Sequence, residues 1–378
     1  MPDTKPRAII VGGSLGGLFA ATTMLKIGWD VEVYERSPHT LDSRGGGIVL
    51  QPDVLAALSF GGVNHSDTLG VPSFDRIYLE RDDRVIQRSS MPQTQTSWSM
   101  VYSAMRRHLP QDLVRPGHQF VRFEQEGKSV HVFFENGHEA RGDLLIAADG
   151  ARSTVREQVM PGVRPTYAGY VAWRGLVPEL ELPQAAASVL ARTFAFQQGP
   201  RHLMLEYLVP GEDESVRIGE RRWNWVWYLP VSPGEPLQSL LTDRSGVSHA
   251  FSLPPGSPKE SDIAAMRQKS SELLAPTFQS LVGVTQEPFV QAILDLQVNQ
   301  MVFGRVVLTG DSAFVPRPHT AGSTAKAAAN AVALAYALDG VSSGNLDAAL
   351  ADWQKSQLLA GASMTRWGIA MGDRIMGL

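Results

Sequence analysis

The N-terminal segment combines apolar runs and a glycine-rich turn in a pattern typical of a βαβ unit. Residues 8–11 form a short apolar run of the kind that makes a buried parallel strand. The glycine-rich segment 12–17 follows it at once, and residues 18–26 then have the composition of a helix. Residues 31–35 predict a second strand, and this strand ends in a carboxylate.

Two later apolar runs end in acidic turns. Residues 143–148 predict a buried strand that runs into Asp149 and Gly150, and a D-G-x-x-S-x-V-R segment follows from 149 to 156. Residues 304–309 predict another strand that runs into Gly310 and Asp311. A P-R-P-H segment and a helix of small residues come next.

The middle of the chain, residues 71–97 and 166–279, has alternating strand patterns and many prolines. Residues 222–228 alternate aromatic and other side chains with a period of two, which places three tryptophans on one strand face: Trp223, Trp225 and Trp227. We interpret this region as an antiparallel sheet over an apolar pocket, with Trp225 in contact with a substrate. Ordinary sheet packing or a homodimer surface explains the stripe equally well. Residues 263–274 predict a helix that packs on this sheet.

The N-terminal unit carries most of a dinucleotide-binding fingerprint. Gly12 permits the tight turn, the amides at the helix start hold a pyrophosphate, and Gly17 allows close packing of helix and sheet. Glu35 is placed to accept hydrogen bonds from ribose hydroxyls. Ser14 replaces the second glycine of the fingerprint, and its hydroxyl can donate a hydrogen bond. The alternative is a glycine turn that binds nothing.

Composition excludes several classes of protein. The 378 residues contain no cysteine, so disulfides, zinc–thiolate sites and thiol nucleophiles are excluded. A net charge of −4 argues against a nucleic-acid-binding protein. No apolar stretch approaches the length of a membrane span, and we expect a cytoplasmic protein without a signal peptide. The nine histidines show no metal-binding spacing, so no metal site is predicted.

With these motifs in order, the chain resembles the FAD-dependent aromatic hydroxylases of the p-hydroxybenzoate hydroxylase type. The resemblance rests on the fingerprint at 12–17, the D-G segment at 149–156 and the G-D segment at 310–311. Segments at 34–38 and 165–175 resemble the members of this family that hydroxylate pyridine rings. One departure is the usual G-Q-G-x-N segment, which is replaced here by residues 321–325.

The resemblance implies an α/β fold in which a Rossmann-like FAD-binding domain carries an inserted antiparallel-sheet substrate domain. It assigns residues 1–70, 98–165 and 280–378 to the discontinuous FAD-binding domain, and residues 71–97 and 166–279 to the substrate-binding domain. It implies that Asp149 and Gly150 lie near both FAD and NAD(P)H, and that Asp311 bonds the ribityl chain. The full set of expected cofactor residues is Gly12, Ser14, Leu15, Gly17, Glu35, Arg36, Asp149, Gly150, Asp311, Ala321, Gly322 and Ser323.

The resemblance also implies the reaction. NAD(P)H, with NADH favoured, reduces FAD; O₂ then forms a flavin C4a-hydroperoxide, and one oxygen passes to an electron-rich aromatic ring such as a hydroxypyridine. A flavin oxidase or reductase without oxygen insertion, and a flavin-binding protein without catalysis, are the rival interpretations.

A base near the ring would help, because a hydroxylated ring reacts faster as its oxide anion. His319 lies beside the predicted flavin-facing helix and is the candidate for that role, the alternative being a structural histidine. Arg317 is a candidate for binding an anionic substrate, and Tyr167 and Tyr170 are candidates for substrate contact.

Overall fold

The computed structural model describes residues 5–39, 41, 46–64, 69–342 and 345–378. The N-terminal strand belongs to a largely parallel sheet of six strands. In space the strands follow the order β17-β18-β10-β1-β2-β6, and each neighbouring pair is parallel except β17 and β18. The strands are β1 (Arg7–Val11), β2 (Asp30–Tyr34), β6 (Val114–Arg115), β10 (Leu144–Ala147), β17 (Val302–Phe303) and β18 (Val306–Leu308).

The helix after the glycine turn packs against Ile10 on one face of this sheet, and a small three-stranded sheet packs against Ile9 on the other face. Both faces are therefore covered, which explains why the central strands are continuous apolar runs. The predicted helix after the glycine turn begins at Leu15, slightly earlier than the apolar pattern suggested. The helices of the described residues are α1 (Leu15–Lys26), α2 (Pro52–Phe60), α3 (Trp98–His108), α4 (Thr154–Val159), α5 (Gln184–Leu190), α6 (Glu235–Leu240), α7 (Glu260–Leu273), α8 (Pro276–Val284), α9 (Ser323–Leu338) and α10 (Leu346–Met376).

A larger sheet packs beside the parallel one, with its strands in the order β15-β16-β11-β14-β13-β12-β4-β5-β3. Its strands are β3 (Gly47–Val49), β4 (Val71–Leu79), β5 (Val85–Ser97), β11 (Thr166–Pro178), β12 (Thr193–Gly199), β13 (His202–Val209), β14 (Arg222–Pro230), β15 (Ser252–Leu253) and β16 (Phe289–Gln297). A short strand, β19 (Phe314–Val315), pairs with β16. A third sheet contains β7 (Phe120–Glu126), β8 (Ser129–Phe134) and β9 (Glu139–Gly142).

The α/β architecture with a second, strand-rich layer is confirmed, with one correction. The large sheet is mixed, because β4 and β12 pair in parallel while its other described pairs are antiparallel. It also takes in β3 and β16, although we assigned residues 47–49 and 289–297 to the FAD-binding domain. The exact domain boundaries therefore stay a prediction.

The two faces of the large sheet have different neighbours. The tryptophan face packs against α7 and α8 in a buried apolar cluster that includes Met266 and Phe278. This arrangement confirms the predicted helix, which spans Glu260–Leu273. The opposite face carries Val226 and Tyr228 and lines a cavity.

Within the described ranges, no helix is both long and apolar enough to cross a bilayer.

Candidate active site

The carboxyl ends of the central parallel strands bring the three sequence motifs to one edge of the sheet. Val11 at the end of β1 pairs with Tyr34 on one side and with Ala147 on the other. The glycine turn, Glu35 and the Asp149 turn therefore follow directly from neighbouring strand ends. Such an edge is where open α/β sheets bind their ligands.

Two glycines of the turn are required by close backbone packing. Gly12 has a φ of +110°, and a Cβ there would overlap the carbonyl of Ala148. A Cβ on Gly17 would overlap the carbonyl oxygen of Gly12. The first turn of α1 can therefore lie against β1 only when Gly17 lacks a side chain, and the glycine turn can approach the end of β10 only when Gly12 does.

The start of α1 keeps hydrogen-bonding capacity for a ligand. Ser14 is the N-cap residue, but its side chain makes no capping hydrogen bond. Glu35 is buried, and its carboxylate accepts the amides of Gly13 and Ser37, each at 2.8 Å. Those bonds fix the carboxylate beside the glycine turn, and each oxygen retains a lone pair for a ribose hydroxyl. Arg36, the next residue, is exposed.

The D-G-x-x-S-x-V-R segment is tied to the G-D segment by a buried arginine. Arg156 donates to the carbonyl oxygens of Ala151, Val163 and Ser312 at 2.6, 3.0 and 2.9 Å. Asp149 accepts the amide of Val155 through Oδ2, while its Oδ1 is buried without a hydrogen-bond partner in the described structure. Burial raises the pKa of Asp149 above its usual value. Arg156 therefore has a structural role, and Asp149 has a free acceptor atom.

Asp311 is held by two residues at the start of α9. Its Oδ1 accepts the hydroxyl of Ser323 at 2.7 Å and the ammonium of Lys326 at 3.0 Å. The Lys326 ammonium also contacts the carbonyl oxygen of Phe314, and burial lowers the pKa of this lysine. Because both donors use the same oxygen, Oδ2 of the half-exposed Asp311 stays available to a hydroxyl group. Lys326 gave no recognisable signal in the sequence.

A cavity of about 1210 Å³ lies between the large sheet, the segment before α9 and the end of α10. The volume exceeds that of an ordinary small-molecule pocket. Ala321, Gly322 and Ser323 line it, and Ala321 adopts a left-handed φ of +51°. The lining is mostly apolar and aromatic, and its charged side chains are Arg76, Arg174 and Arg374.

None of these three arginines has a carboxylate partner within the described part of the chain. Arg76 lies over the rings of Phe194 and Phe196 at 5.5 and 5.1 Å. The Nε atoms of Arg76 and Arg174 are buried without hydrogen-bond partners. Among the described residues, no aspartate or glutamate lines the cavity, so the field of these residues favours an anionic ligand.

His319 faces this cavity. Its Nε2 lies 2.8 Å from the hydroxyl of Tyr170, and its ring lies 4.3 Å from the ring of Tyr228. Its Nδ1 is buried without a partner among the described groups. Burial, with a smaller effect from the Arg317 cation, lowers the pKa of His319 to about 4.

The structure moves three predicted substrate contacts away from the cavity. Trp225 lies on the helix-packed face of the sheet, where its Nε1 donates to Thr285 Oγ1 at 2.9 Å. The hydroxyl of Tyr167 donates to the Val231 carbonyl oxygen. Tyr170 is fully buried behind His319. Each of the three has its hydrogen bond inside the protein and is absent from the cavity wall, so this cavity lends no support to their predicted contact with substrate.

Arg317, the candidate for binding an anionic substrate, does not line the cavity either. Its guanidinium makes two hydrogen bonds to Asp295 and one to Asp373, all at 2.7 to 2.9 Å. These carboxylates neutralise it beneath Tyr170.

Sequence analysis missed the strand residues that line the cavity. Tyr228 and Val226 alternate with the tryptophans along β14 and therefore occupy the cavity face of the same strand. Tyr207 and Arg174 reach the cavity from the neighbouring strands. The period-two pattern contained this information, because it separates two faces, but it did not say which face is covered by helices.

With this geometry described, comparison with known proteins identifies the family. Residues 167–295 match a family model described as FAD binding domain-like. Over 367 residues the chain is 34% identical to 2,6-dihydroxypyridine 3-monooxygenase of Paenarthrobacter nicotinovorans. The aligned region covers 96% of this chain and 89% of that protein. The chain belongs to the FAD-dependent aromatic hydroxylases. The resemblance found in the sequence is therefore confirmed.

Solved structures of relatives agree with this assignment to the FAD-dependent aromatic hydroxylases. The structure of 2,6-dihydroxypyridine-3-hydroxylase from Arthrobacter nicotinovorans has a TM-score of 0.92 at 31% identity and covers 99% of this chain and 93% of that one. The HpxO protein of Klebsiella pneumoniae in complex with FAD has a TM-score of 0.81 at 25% identity, with 98% and 91% covered. A further relative is 6-hydroxynicotinate 3-monooxygenase of Pseudomonas fluorescens, 26% identical over 93% of this chain and 88% of that protein.

The residues at the sheet edge fit FAD, the cofactor of this hydroxylase family. The uncapped start of α1 offers amides for a pyrophosphate, and the side-chain-free surface at Gly12 and Gly17 lets the backbone lie close to it. Asp149 Oδ1 and Asp311 Oδ2 are acceptors that the described protein groups leave free. The donor and acceptor groups of the edge therefore match the phosphates and hydroxyls of the cofactor.

Proposed function

We propose that this protein is an NAD(P)H-dependent FAD monooxygenase that hydroxylates a hydroxypyridine-type ring bound in the cavity beside His319. The observation that carries this proposal is the cavity itself. It combines aromatic walls, three cations that have no carboxylate partner in the described part of the chain, and an imidazole nitrogen without a partner there. Two relatives are named for hydroxypyridine substrates, which supports this ring class.

The residues would divide the work between cofactor and substrate. FAD, when bound, takes electrons from NAD(P)H and activates O₂ for transfer to the ring. The amides before α1, together with Glu35, Asp149 and Asp311, would hold the cofactor. The aromatic walls would exclude water and orient the ring, and Arg174 and Arg76 would favour its anionic form.

A substrate panel tests the reaction class. We expect 2,6-dihydroxypyridine or 6-hydroxynicotinate to stimulate NADH oxidation, whereas 4-hydroxybenzoate should not reach the same rate. One hydroxylated product should form for each O₂ and each NADH consumed. NADH consumption that yields hydrogen peroxide and no hydroxylated ring, with every compound tested, would show an oxidase instead. NADPH measured beside NADH decides the preferred electron donor.

Replacing His319 with alanine tests the site. We expect kcat for hydroxylation to fall roughly 10- to 100-fold, because the anionic oxygen of the bound ring loses a hydrogen bond to His319. The rate of flavin reduction by NADH should change little, since His319 does not touch the sheet edge that would hold the cofactor phosphates. Stopped-flow absorbance separates the two steps.

His249→Ala is the matched control, because His249 bonds Asp243 in a segment outside the cavity. It should leave both rates unchanged. Full hydroxylation turnover in His319→Ala would remove this residue from the mechanism.

A further inference from the structure

The contact between Tyr170 and His319 determines which imidazole nitrogen carries the proton. Tyr170 is fully buried on β11, and its hydroxyl lies 2.8 Å from His319 Nε2. The two rings are nearly parallel, with an interplanar angle of 25°. The other ring nitrogen, Nδ1, is buried without a partner among the described groups, and His319 itself lines the cavity. A neutral imidazole has one N–H and one nitrogen lone pair on its ring. The direction of the Tyr170 hydrogen bond therefore decides whether Nδ1 is a donor or an acceptor toward a ligand.

Hydrogen-bond satisfaction fixes that direction. His319 Nε2 is the acceptor available to the Tyr170 hydroxyl among the described residues. If Nε2–H donated to the phenol oxygen, the buried O–H of Tyr170 would have no acceptor, and such a group costs free energy. If Tyr170 donates to Nε2, the phenol is satisfied and the imidazole proton lies on Nδ1, a donor that the described protein groups leave free for a ligand.

The charged groups around the pair act in the same direction. The Arg317 guanidinium lies 5.5 Å from the centre of the Tyr170 ring, and it can donate hydrogen bonds but cannot accept one. Asp295 and Asp373 accept the hydrogen bonds of Arg317 and so hold its guanidinium in place. Burial raises the pKa of Tyr170, so the phenol keeps its proton. His319, with its pKa lowered to about 4, is neutral near pH 7.

We propose that Tyr170 is a positioning residue that holds His319 in the tautomer with the proton on Nδ1, so that the imidazole donates a hydrogen bond to an oxygen of the bound ring. This inference rests on the proposed function for the identity of the ring. It replaces the base role that the sequence suggested, because an imidazole of such low pKa retains a captured proton poorly. The donor selects rings that present an acceptor oxygen, either a pyridone carbonyl or a ring oxide.

The tautomer can be measured directly by ¹⁵N–¹H correlation NMR of the holoenzyme labelled at its histidines. The His319 signals are assigned by their loss in His319→Asn. We expect the wild-type spectrum to show protonated Nδ1 and unprotonated Nε2. In Tyr170→Phe, which keeps the ring but removes the hydroxyl, the Nε2–H tautomer should appear.

Tyr167→Phe is the matched control, since it lies on the same strand and loses a hydroxyl that bonds the Val231 carbonyl oxygen. It should leave the His319 tautomer unchanged. A wild-type spectrum with protonated Nε2 overturns the proposal, and so does a Tyr170→Phe spectrum that matches the wild type. If Tyr170→Phe does not fold, the wild-type spectrum by itself decides between the two tautomers.

Kinetics separate this inference from the proposed function. His319→Asn retains an amide N–H near the position of Nδ1 but cannot act as a base. We expect it to keep hydroxylation within about 10-fold of the wild type, whereas His319→Ala loses more. Equal loss in both variants would show a base and contradict the donor role. If neither variant slows hydroxylation while the tautomer is as expected, the proposed site fails but the Tyr170 contact stands.

Discussion

Replacing Gly17 with alanine is expected to destabilise the protein by about 3 kcal/mol or more and to yield a protein that loses FAD on purification. The added methyl group would overlap the carbonyl oxygen of Gly12. Both atoms belong to rigid backbone, so α1 must move away from β1 and carry with it the amides that would hold the pyrophosphate. Thermal unfolding and the ratio of flavin to protein absorbance after gel filtration measure the two effects.

The neighbouring glycine provides the matched control. A Cβ on Gly16 would lie 3.8 Å from the Cβ atoms of Ala148 and Ala327, which is ordinary packing distance. Gly16→Ala should therefore leave stability unchanged or raise it by up to about 1 kcal/mol through helix propensity. Equal destabilisation by both substitutions would show that the helix start tolerates no side chain at all, and the argument from the Gly12 contact would fail.

Replacing Glu206 with methionine is expected to stabilise the protein by about 2 kcal/mol near pH 8. Glu206 lies opposite Trp225 on the helix-packed side of the large sheet and is fully buried. Neither of its carboxylate oxygens has a hydrogen-bond partner in the described structure. Methionine has a similar length and an adaptable apolar side chain, so it removes the unpaired polar group without leaving a large cavity.

The gain from this substitution should depend on pH. Burial raises the pKa of Glu206 well above 4.5, so the folded protein retains a proton that the unfolded chain releases. Below about pH 4.5 both states are protonated and the carboxyl group carries no ionisation penalty. As pH rises from there through the folded-state pKa, the wild type loses stability, whereas the methionine variant has no such loss. Denaturant unfolding at pH 5 and pH 8 should therefore show a larger difference at pH 8.

Glu32 is the contrasting control, because it is buried but paired. Its carboxylate contacts the guanidinium groups of Arg7 and Arg115 and accepts the hydroxyl of Tyr34. Glu32→Met should lower the free energy of unfolding by about 1 to 3 kcal/mol, since Arg7 and Arg115 lose the buried carboxylate that they share. A pH-independent effect of Glu206→Met would contradict the unpaired-carboxyl explanation.

The sequence by itself determined the features that depend on local spacing. The apolar run, glycine turn, helix and acidic strand end predicted the βαβ unit, because each part has its own short-range signature. The motifs at Asp149 and Asp311 indicated the family. The structure shows which side chain connects the two motifs. The guanidinium of Arg156, which belongs to the first motif, donates to the carbonyl oxygen of Ser312, the residue that follows the second motif.

Only the tertiary structure decided which face of each element is functional. The tryptophan stripe of β14 showed two faces, but α7 and α8 cover one of them, and these helices come later in the chain. Trp225 is therefore core, and Tyr228 from the other face lines the cavity. In the same way, Arg317 pairs with Asp295 and Asp373, and Tyr170 contacts His319, and these partners lie too far along the chain to be found from local spacing. Period and motif are properties of neighbouring residues, whereas burial and pairing are set by what the rest of the chain places beside them.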